Sequence, residues 1–405
     1  MQLSQRAVEA PASPIRRLIP YAEEAARKGK KIYYLNIGQP DIPTPKVYFE
    51  YAEKYRPSVV AYTHSAGLLE LREAFARYYE RFGIQVGPSH IIVTNGGSEA
   101  VIFAMSVVAD PEDEIVVLEP FYANYAGFAS QLGIKLVPVR TYPEDGYAVP
   151  KKEKFLEVIG PKTKAIIFSN PSNPTGAVYD EQQLRTIADV AVEKDLFIIS
   201  DEVYREFVFD GYRAISMLTF EEISNRIIVV DSISKRYSAC GARIGTFVTK
   251  NKDLYAAAMK FAQARLCPSM MSQYGTIGLL TLDENYFQQI RLEYQARRDV
   301  VYEELSKIEG AVFKKPHGAF YIAAKLPIDN TENFVKFMLT EFEVDGKTTM
   351  VAPLDGFYIT PGAGINEMRI AYVLDCEKLR DAVRILNLGI EAYRKKCHDQ
   401  SSEIR

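Results

Sequence analysis

There is no tryptophan among the 405 residues, so any ring that stacks on a flat ligand must come from the 26 tyrosines or 21 phenylalanines. Cysteine is scarce too. Cys240, Cys267, Cys376 and Cys397 are scattered without CxxC spacing, which excludes a disulfide framework and a zinc ribbon and implies free thiols in a reducing compartment. His64, His90, His317 and His398 have no ligand-like spacing, so no metal site is indicated. Long apolar runs are missing. Residues 1–14 lack the core of a signal peptide and no later stretch approaches a membrane span, so a cytoplasmic protein is expected. Charge of either sign is not in surplus. A formal net charge of -3 offers no basic surface to nucleic acid and no polybasic anchor to a membrane, leaving small molecules and further copies of the chain as expected partners.

What is present is enough apolar material for a sizeable core, 47% of a chain long enough for two domains. Short apolar runs at 91–94, 114–119, 136–139, 165–168, 196–199, 227–230 and 244–249 alternate with helical patterns such as 181–193, which indicates an α/β protein with a mostly parallel sheet covered on both faces. Ser13 to Lys28 reads as a helix capped by Ser13 with Pro14 at its first position, and Tyr33, Leu35 and Ile37 alternate as a strand ending at Gly38. Past Ala311, short strands (Gly318 to Ile322, Met368 to Val373) and the helix Glu377 to Arg394 suggest a smaller α/β domain. The expected division is 46–295 for the large domain, with 1–45 and 296–405 forming the small one.

The chemistry concentrates where strands end. Lys235 follows the run Ile227 to Val230, and an amine at the rim of an apolar site can lose its proton and attack a carbonyl. Alone, it would read as a surface charge. Around it stand Ser232 and Ser234, then Gly241, Arg243 and Gly245, a pattern in which glycines let a backbone approach an anion that the arginine grips. Ile91 to Met105 reads as strand, Gly96-Gly97-Ser98 turn and helix, whose first N–H groups could hold a phosphate, although serine there is equally a plain cap. Asp201 closes the run Phe197 to Ser200 as either a turn cap or an acid beside a ligand. The loop Ser169-Asn-Pro-Ser-Asn173-Pro-Thr-Gly176 contains two turn-forming Asn-Pro pairs.

Ser-x-Ser-Lys followed by Gly-x-Arg-x-Gly, Leu-Asn-Ile-Gly-Gln-Pro-Asp41, Asn173-Pro-Thr-Gly176 and the C-terminal Tyr358-Ile-Thr-Pro-Gly with Arg369 together resemble class I/II aminotransferases, the fold-type-I enzymes dependent on pyridoxal 5'-phosphate, and most of all bacterial aspartate aminotransferases. The resemblance implies a large domain with a seven-stranded sheet and a homodimer. By it, Lys235 carries the cofactor and moves protons, Asp201 serves the pyridine nitrogen, and Tyr204 and Asn173 serve the 3'-oxygen. Gly97, Ser98, Ser232, Ser234 and Arg243 would hold the phosphate, and Tyr122 would stack on the ring where several members use tryptophan. Tyr62 would reach the neighbouring subunit's cofactor, unless it is simply a packing tyrosine. Gly38 and Arg369 would bind the substrate carboxylate along with Asn173.

The reaction so implied is ping-pong transamination between an amino acid, aspartate favoured, and 2-oxoglutarate. Aromatic or neutral donors, or a lyase on the same scaffold, are the alternatives, with a non-catalytic cofactor-binding protein more distant. Some members place lysine at the position of Ser98 to hold a side-chain carboxylate. Arg265 is the expected replacement, with a surface ion pair as its other reading.

Overall fold

In the computed structural model, which describes residues 1–403, strand β1 (Lys31–Tyr34) stands apart from a central sheet built by the next seven. These are β2 (Ile91–Thr94), β3 (Glu114–Glu119), β4 (Lys135–Arg140), β5 (Thr163–Ser169), β6 (Phe197–Asp201), β7 (Ile227–Ser232) and β8 (Gly245–Val248). Their order is β2-β8-β7-β6-β5-β3-β4, parallel throughout except for β8, which runs antiparallel to both neighbours. The unbroken Ile/Val runs follow from burial on both faces. Ile227 and Val229 of β7 enter the core with Leu71, Phe75, Leu184 and Ile187. Ile228 and Val230 point the other way, onto Ala100, Val101 and Leu254. Each side chain so buried contributes about 1.5–3 kcal/mol.

The remaining strands lie elsewhere. β9 (Tyr321–Lys325), β11 (Ala352–Pro353) and β12 (Glu367–Ala371) form an antiparallel sheet, while β10 (Lys347–Met350) pairs in parallel with β1. Their core also takes in Tyr204, Phe207 and Phe209 from beyond β6. The 22-residue helix Glu284–Leu305 serves both cores, giving Phe287 to one and Tyr294, Val301 and Leu305 to the other, so the expected boundary at 295/296 falls inside a continuous helix.

Several expected elements differ in extent, and three have a local reason. The helix expected over Ser13 to Lys28 spans Ile19–Arg27, because Pro20, which cannot donate an N–H, sits in the first turn where none is needed, and a short helix Gln5–Glu9 precedes it. β1 stops at Tyr34, although Leu35 still donates to the Met350 carbonyl at 2.9 Å. β9 starts at Tyr321 rather than Gly318, since Ala319 has φ +54°, incompatible with a strand. Among the described residues, no helix is long and apolar enough to cross a membrane.

Candidate active site

The parallel strands leave their carboxyl ends on one edge of the sheet, where ligands of open α/β sheets collect. Asp201 ends β6, Lys235 lies three residues past β7, and the loop after β5 carries Asn173. A cavity of about 460 Å³ opens there, with Arg369 of β12 and the segment Ser13–Ile19 across from the sheet edge. It brings together Gly38, Gly97, Ser98, Tyr122, Asn173, Asp201, Tyr204, Ser232, Ser234, Lys235, Arg243 and Arg369.

One end of the cavity is built for an anion. The helix Gly96–Val108 begins without a side-chain cap from Asn95, so its first N–H groups stay open. Gly96 has φ +79°, and a Cβ there would lie 2.3 Å from Nη2 of Arg243. Only glycine lets the guanidinium settle that close. Arg243 donates to the carbonyls of Cys240 (3.0 Å) and Asn95 (3.4 Å), neutral partners that leave its charge uncompensated. Ser232 and Ser234 hydroxyls, 2.8 Å apart, complete the cup.

The middle holds the reactive pair. Asp201 is buried, accepts from the Tyr125 hydroxyl at 2.6 Å and from the Val203 N–H at 3.3 Å, and burial raises its pKa to about 6 against those hydrogen bonds. Such a carboxylate is short of a cation. Lys235 Nζ donates to the Gly38 carbonyl at 2.9 Å and lies 3.9 Å from the Cys240 sulfur. Beneath it, Asp231 pairs with Arg236 at 2.7 Å and Arg205 at 3.2 Å and accepts from Tyr79 at 3.0 Å, all buried. Burial alone would raise the Asp231 pKa, but the two guanidinium groups hold it below the usual carboxylate range. This locked network fixes the turn that presents Lys235.

The other end also awaits an anion. Arg369 is 1% exposed, donates through Nη1 to Asn173 Oδ1 (2.9 Å) and through Nη2 to the Asn36 carbonyl (2.7 Å), and stacks 4.5 Å from Tyr321 and 5.0 Å from Phe357. Its Nε and both polar atoms of the Asn36 side chain are buried without a partner, and burial depresses the guanidinium's pKa. A carboxylate would satisfy them. Tyr204 and Tyr321 share a hydroxyl hydrogen bond of 2.8 Å, and a Cβ on Gly38 would lie 1.9 Å from the Tyr321 oxygen, so that turn requires glycine. Tyr122 meets Tyr125 edge-on at 5.4 Å, and burial pushes its hydroxyl up to about 12.

Two expected residues lie apart. Arg265 does not line the cavity: it is turned toward the helix Gly96–Val108, where it pairs with Glu99 at 3.1 Å and donates to the Val93 carbonyl at 2.9 Å. Glu99 sits in the first turn of that helix and also holds the Asn95 N–H, which is why the arginine is drawn there. Tyr62 is 78% exposed and outside the cavity.

Comparison with known proteins agrees with this geometry. The model of the family "Aminotransferase class I and II" matches residues 30–385. The chain belongs to that family. Aromatic-amino-acid aminotransferase 2 of Thermococcus litoralis is 33% identical over 95% of this chain and 97% of its own length. Aspartate aminotransferase of Thermotoga maritima is 30% identical over 94% and 97%, respectively. The solved alanine aminotransferase of Pyrococcus furiosus superposes with a TM-score of 0.88 at 30% identity, covering 96% of this chain and all of that one. The protein is therefore an aminotransferase acting on amino and oxo acids, and its family uses pyridoxal 5'-phosphate. The residues fit that cofactor: the open helix amides and uncompensated Arg243 suit a phosphate, and the cation-poor Asp201 suits a protonated ring nitrogen.

Some functional residues of this aminotransferase escaped sequence reading. Tyr125 stands three residues after Tyr122 at the start of the helix Asn124–Leu132, a spacing that puts both on one face, and that was its only signal. Tyr321, Asn36 and Phe357 reach Arg369 only through the tertiary fold.

Proposed function

We propose that this aminotransferase moves the amino group of an L-amino acid, with aspartate the preferred donor, to 2-oxoglutarate by a ping-pong sequence. The observation that carries the reading is the charge of the cavity wall: Arg16, Lys235, Arg243 and Arg369 against Asp201 as the single lining carboxylate. Substrates with several carboxylates suit such a wall.

When bound, pyridoxal 5'-phosphate supplies a carbonyl that captures the amine and a ring that takes up electrons. Arg369 grips the α-carboxylate with its planar fork and so sets which bond of Cα faces Lys235. The Lys235 amine takes the proton from Cα and returns it on the other side of the transfer. With the cofactor bound, Asp201 would keep its ring nitrogen protonated. Tyr204 and Asn173 would serve its ring oxygen, and Tyr122 would shield it from water.

Incubating the loaded enzyme with aspartate alone should consume one amino group per site and stop, with 2-oxoglutarate restoring turnover. Sustained release of ammonia from the amino acid alone would favour a lyase instead. In a donor panel with 2-oxoglutarate, aspartate is expected to lead. An aromatic or neutral donor ahead of it would replace the proposed preference.

The site is proposed to be completed in a homodimer. Val59, Val60 and Tyr62 are 69%, 73% and 78% exposed in one chain, a run of apolar surface that calls for a covering partner. Co-expressing Lys235→Ala with a Tyr62→Ala chain should restore one working site per heterodimer, because Tyr62 acts across the interface. Failure to recover activity despite proven heterodimers would place Tyr62 in its own subunit or outside the site. Four free thiols suit a reducing cytoplasm, where we place the enzyme.

A further inference from the structure

We infer that Arg16 binds the distal carboxylate of an acidic substrate, an assignment that rests on the transamination reading above and names the residue behind its specificity. The cations of the cavity wall can be apportioned. Arg243 adjoins the open helix amides and the serine hydroxyls, Arg369 is buried among Asn36, Asn173 and Tyr321, and Lys235 stands between them near Asp201. Arg16 is the lining cation left over. Among the described residues it has neither a hydrogen-bond nor an ion-pair partner for its guanidinium, whereas the adjacent Arg17 is committed to Asp355 at 2.6 Å and Glu332 at 2.8 Å.

That contrast fixes the geometry of the segment. Arg17 ties it to the β11–β12 side of the molecule, and Pro14 packs so tightly on Gly356 that a Cβ there would meet it at 2.2 Å. Backbone hydrogen bonds from Arg16 N–H to the Ser13 carbonyl (3.1 Å) and from Ile19 N–H to the Arg16 carbonyl (3.0 Å) wind the chain around this point. One arginine of the pair anchors; the other is presented to the cavity. Ile15 and Ile19 line the same wall, and apolar neighbours strengthen a charge contact made beside them. Of the other two positions, Ser98 carries no charge, and Arg265 lies outside the cavity lining, paired with Glu99.

The test compares wild type with Arg16→Met and Arg16→Lys on aspartate and glutamate, and on alanine and phenylalanine. For Arg16→Met, kcat/KM on the two acids should fall by about tenfold or more, the effect of removing a charge contact from the now exposed Arg16 that substrate binding would bury, while the two neutral donors keep theirs. Arg16→Lys should recover part of the loss, since it restores charge without the planar fork. Maleate, a dicarboxylate that cannot react, should bind the loaded Arg16→Met variant more weakly by absorbance titration, with acetate unchanged. Equal losses on all four donors, or no loss on the acids, would overturn the assignment. A wild type that transaminates none of the four would overturn the catalytic reading instead.

Discussion

Lys235→Ala is expected to remove the borohydride-reducible link between protein and cofactor and to lower transamination by about 10⁴-fold or more, the upper range for loss of a positioned proton-transfer group. The lysine stands past the end of β7 on a turn whose underside is the buried Asp231, Arg236 and Arg205 network, and its amine reaches the Gly38 carbonyl at the centre of the cavity. Because that network is untouched by the substitution, the variant should fold and still retain cofactor through Arg243, Ser232 and the helix amides. Cofactor retained without a reducible link, together with lost turnover, is the expected pattern. Wild-type turnover in the variant would remove Lys235 from the reaction.

The second large effect belongs to Asp201. Asp201→Asn preserves volume but cannot stabilise a proton on the ring nitrogen, so abstraction of the Cα proton in a single turnover should slow by about 10³-fold, comparable to losing a strong preorganised electrostatic contact. An unchanged single-turnover rate would refute the role. The same variant should behave oppositely in stability when the cofactor is removed. Burial raises the carboxyl's folded pKa from 3.8 to about 6, so the folded state binds this proton more tightly than the unfolded chain does. The charged carboxylate therefore costs stability in full above about pH 6, and the cost fades as pH falls toward the unfolded value near 4. The cofactor-free Asn variant should melt higher than cofactor-free wild type at pH 8, by on the order of 3 kcal/mol at most, and the gap should close in acid. A gap that widens in acid would contradict the burial argument.

Much of this site could be read from the chain because it is assembled from strand ends. A parallel strand buried on both faces announces itself as an Ile/Val run, and the residues just beyond it necessarily share one edge of the sheet, which put Asp201, Lys235 and Gly97 together, while the roles expected of them came from the resemblance. Arg265 shows the complementary case, an expected site residue that lies outside the cavity lining. Its distance along the chain from Lys235 said nothing about which way it faced, and Glu99 in the first turn of a neighbouring helix captured it. Tyr321 was illegible because it meets Arg369 through packing of β9 against the sheet edge, a contact with no local periodicity, whereas Asn36 stood inside a recognised motif with no role of its own assigned. Pro20 offered a usable clue to the start of the helix Ile19–Arg27, but Ser13-Pro14 offered the same clue six residues earlier, and local capping rules could not choose between them.

The antiparallel β8 has a consequence for how the chain comes to bind anything at all. Ile91 of β2 pairs with Val248 of β8 across five intervening strands, and Thr94 with Gly245, directly beside the turn at Gly96. A nascent polypeptide emerging from the ribosome thus possesses the Gly96-Gly97-Ser98 turn long before it possesses Arg243 and the strand that presses Gly245 against it. Contacts so distant in sequence close late and slowly. Until β8 inserts between β2 and β7, its two future neighbours expose unpaired edges, the state in which chains of this size aggregate. Phosphate affinity therefore waits on β8, and cofactor added to a refolding mixture should stabilise chains that have already completed the sheet.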